Sequence, residues 1–512
     1  MDQFWRRLPG VRRPHYYSLS GNQNVSSRNR SGRSRNRSLL AVALISLLGL
    51  VVMMKNDRLT GSMSMHSAEK ASKSCDSIEH GYECKPRISH SMGQYSPYFS
   101  VPSEISNQIP HECSVTFVQI LSRHGARDPT LHRSHEFNAT VWKIKSNARS
   151  YSGPYIFLED YEYTLGSDQL TQFGELELFN SGMKFYGRYH ELARDATPFV
   201  RTPGQDRMVQ SALNWNRGFR QAKEADRMAN HDSQAYPSVN VVIPERDYGE
   251  NNTLHHDLCT AFENTTIGDI GKEARAKWAS VFMQPVLDRV NHHLPGADLN
   301  MTDAINLMDL CPFDTVADPT GKFGKSCSLF TDEEWQNYDY LGTLQKWYGN
   351  SHGNPLGPAQ GIGFANELVA RMSCRPVKNH GSINSTLDAN STNFPLGLAL
   401  YADFSHDNDM TSIFAALGLY NMTTQFSNTT RVDASDADGY SAAWTVPFAA
   451  RAYFEKMQCR GHSEELVRII INDRVLALEQ CGGDHLGRCE LSKFLNSLEF
   501  ATSGGNWDQC FA

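Results

Sequence analysis

Apolar positions recur along this chain with two periods. Residues 115–121 (Val-Thr-Phe-Val-Gln-Ile-Leu), 396–404 and 467–475 are short runs rich in β-branched or aromatic side chains, and they predict strands. Residues 175–189 and 272–287 place their apolar side chains at helical spacing, and they predict helices. The strands lie far apart with helical stretches between them. This predicts an α/β body with a mainly helical insertion, over roughly residues 170–345, that walls one side of a cleft. No internal repeat is visible.

One apolar run fits neither period. Residues 38–54 carry no charge, and their 17 positions span about 26 Å as a helix at ~1.5 Å per residue. They follow a leader, residues 1–37, that holds nine Arg, no Lys and one Asp. The run is isolated between that basic block and a Ser-, Lys- and Met-rich stretch at 55–74, which excludes a buried core helix. The reading is a transmembrane signal anchor at 38–54, with residues 1–37 as a basic cytosolic tail, 55–74 as a flexible stem and 75–512 as the folded domain. The expected protein is a single-pass type II membrane protein whose folded domain is lumenal or extracellular. The alternative is a long cleavable signal peptide and a secreted mature chain, for which Thr60-Gly61-Ser62 offers small residues at the cut.

Composition narrows the function classes. With 512 residues and 40% hydrophobic content the chain can bury a large core. The net charge is −7, and the leader's balance of +8 leaves −15 on the remainder. An acidic body excludes general nucleic-acid binding, so a polyanionic ligand requires a local basic pocket. All eleven cysteines follow the apolar run and none forms a CxxC pair, which favours disulfides in an oxidising compartment over metal or redox roles. Eight Asn-x-Ser/Thr acceptors also lie beyond the run, at Asn138, Asn251, Asn264, Asn300, Asn384, Asn390, Asn421 and Asn428, and predict a glycosylated surface.

The reactive chemistry is concentrated in Arg123-His124-Gly125-Ala126-Arg127-Asp128-Pro129, directly after the strand at 115–121. This places an imidazole between two guanidiniums. The forks can hold the non-bridging oxygens of a phosphate monoester, and the imidazole beside them can attack phosphorus. The two cations disfavour imidazolium, so His124 is expected to stay unprotonated well below neutral pH. The run at 396–404 ends in Ser405-His406-Asp407, where open α/β sheets place reactive loops. Asp407 is the candidate general acid for the leaving alkoxide, and His406 a further donor to the phosphoryl oxygens.

The first of these stretches resembles the RHGxRxP signature of the histidine acid phosphatases. The resemblance implies that His124 is phosphorylated and that Arg123 and Arg127 hold the phosphate. It also implies that the arginine opening Arg201-Thr202-Pro203-Gly204-Gln205-Asp206-Arg207 reaches the same phosphate, which makes Arg201 the third ligand. Arg207 ranks second, because it stands where a helix should begin and could equally be a structural ion-pair residue.

The resemblance runs over roughly residues 75–512 and points to the fungal phytase branch, through Gly93-Gln94-Tyr95-Ser96-Pro97-Tyr98, Gly353-Asn354-Pro355-Leu356-Gly357-Pro358 and Ser503-Gly504-Gly505-Asn506-Trp507. It implies a histidine-phosphatase-like central sheet flanked by helices, and a phosphate-monoester hydrolase that releases phosphate from myo-inositol hexakisphosphate (phytate). It further implies disulfides Cys75–Cys84, Cys113–Cys459, Cys259–Cys510, Cys311–Cys327 and Cys481–Cys489, leaving Cys374 over. A phosphohistidine route needs no cofactor and no metal, and a monomer is expected. A broad-specificity acid phosphatase and an inactive membrane-tethered inositol-phosphate-binding protein are the alternatives. The pairs His255-His256 and His292-His293 lack carboxylate-histidine spacing and read as surface or packed residues. His132 and Arg133 are either substrate-phosphate contacts or part of a solvated loop.

Overall fold

The computed structural model describes residues 75–230, 238–245, 251–378, 380–421 and 425–512. The apolar run at 38–54, with its tail and stem, lies outside the described residues. Among the described residues, no helix is long and apolar enough to cross a membrane.

Eight strands form one mixed sheet: β1 (Cys113–Arg123), β2 (Phe199–Pro203), β3 (Val241–Ile243), β4 (Leu400–Ser405), β5 (Arg451–Cys459), β6 (Leu466–Ile471), β7 (Arg474–Val475) and β8 (Arg488–Glu490). Their order is β8-β6-β5-β1-β4-β2-β3, with β7 paired to β6 off this path. β1, β4, β2 and β3 run parallel, while β5, β6 and β8 extend the sheet antiparallel. From Phe117 onward β1 is buried throughout, as are β2 and β4. Burial on both faces explains why these strands read as nearly continuous apolar runs instead of alternating ones.

Helices cover both faces. On one, α2 (Gln172–Arg188) and α3 (Asp206–Ala225) pack Phe185, Trp215 and Phe219 against Val118, Ile120, Val200 and Phe404. On the other, α7 (Ile362–Ser373) and α8 (Asp407–Ala416) pack Phe364, Leu368 and Phe414 against Phe117, Leu121 and Tyr401. A separate core joins α1 (Leu131–Asn147), α4 (Ile270–His293), α5 (Met301–Ala317) and α6 (Asp332–Asn350) through Phe137, Trp278, Phe313 and Trp335. These helices build the mainly helical wall. The span 170–345 also contains β2 and β3, so it is not helical throughout.

Two predicted strands differ from the observed ones, each for a backbone reason. The run at 396–404 becomes extended only from Leu400, because Pro395 and Gly397 at φ +79° interrupt it. The run at 467–475 is a hairpin, turning at Asn472 and Asp473 with φ of 48° and 72°. Asn and Asp tolerate this left-handed conformation better than other side chains. The two predicted helices are present and longer than their apolar patterns.

Five disulfides close the body: Cys75–Cys84, Cys113–Cys459, Cys259–Cys510, Cys311–Cys327 and Cys481–Cys489. Cys113–Cys459 links directly paired residues of β1 and β5 across 346 positions of sequence, and Cys374 is free and exposed.

Buried carboxyls make stability depend on pH in two opposed ways. Burial is the main cause that pushes Glu177, Asp314 and Asp339 up to about 7. Burial also disfavours ionised Asp403, Glu455 and Asp473, but their paired cations outweigh it and hold all three below the usual carboxylate range. The raised groups contribute stability that is fully present below about pH 4 and lost as pH rises through 7. The depressed groups contribute above about pH 4 and lose that contribution in stronger acid. The thermal unfolding midpoint is therefore expected to be higher at pH 5 than at pH 8, and a midpoint that climbs between those values would contradict this balance.

Candidate active site

β1 and β4 are parallel neighbours with Arg123 opposite Ser405, so the residues that follow them, His124 and His406, emerge side by side. Their rings lie 5.6 Å apart, and the His124 amide donates to the Ser405 carbonyl at 3.3 Å. His406 caps α8, whose first residue is Asp407. The dipeptide thus sits at the carboxyl edge of the sheet, at a helix start.

The loop after β1 is clamped onto α2. A Cβ at Gly125 would meet the Gly174 carbonyl at 2.3 Å, and one at Gly174 would meet the Ala126 carbonyl at 2.0 Å, so both positions require glycine. Ser211 Oγ accepts from the Gly125 amide at 3.2 Å, and Glu177 accepts from the Ala126 amide at 2.8 Å. His124 Nδ1 donates to the Gly125 carbonyl at 2.8 Å. That hydrogen bond fixes the neutral tautomer and leaves the lone pair on Nε2.

Three guanidiniums act on this imidazole. Burial first, then Arg123, Arg127 and Arg207, hold the His124 ring well below its ordinary range. Arg123 donates to the Gln94 carbonyl and, at 2.8 Å, to the Val446 carbonyl, and it lies over the Phe448 ring. Arg127 donates to the Asp128 carbonyl at 2.8 Å, and Arg207 to Asp168 at 3.3 Å. Buried nitrogens remain without hydrogen-bond partners among the described residues: Nε and Nη2 of Arg123, Nε of Arg127 and Nε of Arg207. Buried donors of this kind require acceptors, and an anion can supply several at once. Arg207 is pushed down to about 10, by burial and then by the neighbouring cation of Arg127.

Asp407 stands opposite. Its Oδ2 accepts from Lys346 Nζ at 2.6 Å and lies 3.5 Å from Arg123 Nη2. Burial would push the Asp407 carboxyl up, but Arg123 and Lys346 outweigh it and hold the group well below its usual range. Lys346 comes from α6, sixty-one residues away in sequence, where Lys346-Trp347-Tyr348 reads as ordinary helix, and only the fold reveals it.

Arg201 is placed elsewhere. Its guanidinium is only 2% exposed and is fully engaged, donating to Asp403 at 2.9 and 3.2 Å and to Glu367 at 3.2 and 2.6 Å, beneath the Phe394 ring. It is the structural ion-pair residue, and Arg207 in the first turn of α3 is the one that faces His124. These contacts support exchanging the expected roles of the two arginines, Arg207 as the phosphate ligand and Arg201 as the ion-pair residue. The sequence block contains both residues, but the partners that claim Arg201 lie 166 and 202 residues away. Arg133 is likewise occupied, by Glu136, Asp309 and Asn306, and His132 is exposed beside Glu136.

This constellation can bind a tetrahedral anion, attack it with a neutral imidazole and exchange a proton with a carboxyl group. Fold and site together define a phosphoric monoester hydrolase. The chain belongs to the histidine phosphatase superfamily (branch 2), whose family profile matches residues 114–472. It is 50% identical over 444 residues to phytase A of Aspergillus oryzae, covering 86% of this chain and 94% of that one. Against phytase A of Aspergillus fumigatus the identity is 50% over 458 residues, covering 89% and 97%. The crystal structure of the phytase from D. castellii superposes with a TM-score of 0.67 at 25% identity, covering 84% of this chain and 88% of that one.

These findings correct the expected localisation. The chain aligns with phytase A proteins over nearly their full length, and no described helix is long and apolar enough to cross a membrane. The single-pass type II membrane assignment, and the membrane as a partner, are not upheld. Secretion after cleavage fits the findings better.

The exchange of arginine roles has a direct test. Arg201→Ala takes a shared buried cation from Glu367 and Asp403 and is expected to cost about 3–5 kcal/mol of unfolding free energy. Arg207→Ala is expected to keep the wild-type unfolding midpoint while kcat/KM on a phosphate ester falls by roughly 10²–10³. The opposite pattern in denaturant melts and initial rates would return Arg201 to the site.

Proposed function

We propose that the chain is a phytase that releases phosphate from myo-inositol hexakisphosphate through a phosphohistidine at His124. The observation that carries this reading is the ring of buried guanidinium nitrogens, without hydrogen-bond partners among the described residues, around an imidazole that stays neutral in acid. Arg123, Arg127, Arg207 and His406 hold the phosphoryl oxygens. His124 Nε2 attacks phosphorus as the ester P–O bond breaks, and the leaving oxygen takes a proton from Asp407. Water then attacks the phosphohistidine, Asp407 accepts its proton, and the P–N bond breaks to release phosphate and neutral His124.

The relatives named phytase A support the substrate, and so does the surface beside Asp407. A cavity of about 740 Å³ there is lined by His256, Lys272, Gln345 and Asn408 among others, with room for a ring bearing further phosphates. Burial lowers the His256 ring, but Asp409 and Glu263 outweigh it and raise it to about 9, so His256 is a cation in acid. The eight acceptor asparagines are proposed glycosylation sites. All are exposed or half-exposed, although Asn300 and Asn384 also cap helices.

An ionised Asp407 cannot donate a proton. In the free enzyme Lys346 and Arg123 keep it ionised at pH 5, so the proton must arrive with the substrate. A phosphate monoester has its second pKa near about 6 and is largely monoanionic below it. Once the ester's charge draws Arg123 away from the carboxylate, Asp407 can accept that proton and relay it to the leaving oxygen. The alkaline limb of kcat/KM should therefore follow the second pKa of the ester, shifting between an alkyl and a nitrophenyl phosphate. A limb at the same pH for both would refute the relay.

His124→Ala is expected to abolish turnover and the acid-labile phosphoenzyme while leaving the unfolding midpoint within a degree or two; residual burst labelling would overturn the nucleophile. Asp407→Asn should slow release of alkyl leaving groups by about 10²–10⁴ and nitrophenolate far less. A pronounced preference for simple monoesters over phytate would move the reading to a broad acid phosphatase.

A further inference from the structure

Beside His406 stand ligating atoms of Glu245 and His255, two residues to which the hydrolytic reaction assigns no role. Glu245 follows β3, and its side chain is 1% exposed. Its Oε1 lies 3.3 Å from His406 Nε2 and accepts from the Gln205 amide at 3.4 Å, while Oε2 is buried with no hydrogen-bond partner among the described residues. His255 reaches the same place from the loop before Cys259, which Ser405 Oγ fastens by donating to the Leu254 carbonyl at 2.9 Å. Its ring lies 5.5 Å from that of His406. His255 Nε2 donates to Asp257 at 2.7 Å, so in the neutral ring Nδ1 carries the lone pair, and Nδ1 is buried with no hydrogen-bond partner among the described residues.

These features match what a borderline cation requires. One ligand atom from each of Glu245, His255 and His406 lies within 4.8 Å of the others. Tetrahedral coordination at bond lengths of ~2.0–2.1 Å puts neighbouring ligands about 3.3–3.4 Å apart, close to the Glu245–His406 separation. A carboxylate that accepts from the outer nitrogen of an imidazole, as Asp257 does, is the usual outer partner of a metal-binding histidine, because it fixes the tautomer that exposes the other lone pair. A buried carboxylate oxygen and a buried imidazole nitrogen, both unpaired, are costly unless an ion or water meets them. Two imidazoles and one carboxylate select Zn²⁺ and similar ions over Mg²⁺ or Ca²⁺.

We propose that Glu245, His255 and His406 bind a zinc-like divalent cation, with Asp257 orienting His255, and that the bound ion silences the enzyme by taking His406 away from the phosphoryl oxygens. The silencing rests on the role assigned to His406 under the phytase reading, whereas binding does not. One of its ligands, His406, lies 5.6 Å ring to ring from His124, and Glu245 and Arg207 border a shared cleft of about 560 Å³.

The test titrates Zn²⁺ into the chelator-treated full chain by calorimetry, and in parallel follows 4-nitrophenyl phosphate hydrolysis, whose substrate does not sequester the ion as a polyphosphate would. His255→Ala is expected to remove one zinc equivalent, to raise the zinc needed for half-inhibition at least about tenfold, and to leave the zinc-free rate within twofold of wild type. Asp257→Asn should weaken binding by about 10- to 100-fold without changing stoichiometry. His256→Ala should leave zinc stoichiometry unchanged. Equal stoichiometry and equal inhibition in wild type and His255→Ala would overturn the site, as would loss of the ion in His256→Ala alone. Zinc bound through His255 without any inhibition would overturn the silencing. An inactive but zinc-binding wild type would sink the phosphatase reading and leave the site standing.

Discussion

Asp403 is the constraint on which the rest of the site depends. It is fully buried in β4, and it accepts from Gln119 of β1 at 2.8 Å, from Arg201 of β2 and from Arg371 of α7 at 2.6 Å. Glu367, one turn before Arg371, closes the cluster onto Arg201. One carboxylate thereby locks the three central parallel strands to one another and to a covering helix. A buried ionic network of this kind adds little net stability compared with an apolar core, but breaking it leaves uncompensated charge, so it enforces one arrangement. The arrangement enforced here is strand register. With Arg201 opposite Asp403 and Arg123 opposite Ser405, the ends of β1, β4 and β2 deliver His124, His406 and, through the first turn of α3, Arg207 to a single edge.

A second layer converts that register into chemistry. The two facing glycines, Gly125 and Gly174, bring the loop after β1 to within contact of α2, where Glu177 and the capping residue Thr171 hold its backbone. Glu177 is pushed up to about 7, so in acid it is neutral and does not quench the guanidiniums beside it. The cations then fall to the substrate, to Asp407 and to one another. Burial first, and then their repulsion, keeps His124 unprotonated, and a bound phosphate relieves the repulsion. Ground-state strain of this electrostatic kind needs no backbone distortion, since the loop is stabilised by its own hydrogen bonds.

Much of this was legible in the chain itself. The Arg-His-Gly stretch and the His-Asp dipeptide follow apolar runs, and local pattern suffices to place both at strand ends. The choice between Arg201 and Arg207 was not legible, because it depends on Asp403 and Glu367, whose approach to β2 is a consequence of sheet order. Lys346 escaped for the same reason, since a lysine in a helix says nothing about which carboxylate it will meet. Asn472-Asp473 was missed inside an apolar run because a two-residue turn interrupts the hydrophobic pattern too briefly to register. His255-His256 was judged by spacing along the chain, where no carboxylate completes a metal motif. The neighbours that the fold brings to His255, Glu245 and His406, come instead from two other parts of the chain.

The same geometry explains why an acidic protein can work on a polyanion. The net charge, −7 for the whole chain and −15 beyond residue 37, repels a polyanion only at long range, where salt screens it within about 10 Å. Inside the cleft, Arg123, Arg127 and Arg207 offer buried nitrogens without hydrogen-bond partners among the described residues, while nearby carboxylates are neutral in acid, like Glu177, or paired, like Asp407 with Lys346. Acid sharpens this asymmetry. As pH falls toward 5, Glu177 and the ester each take up a proton, whereas His124 does not. Under the proposed mechanism the nucleophile survives the conditions that supply the leaving group's proton, so one buried cluster of guanidiniums would serve both anion binding and turnover in acid.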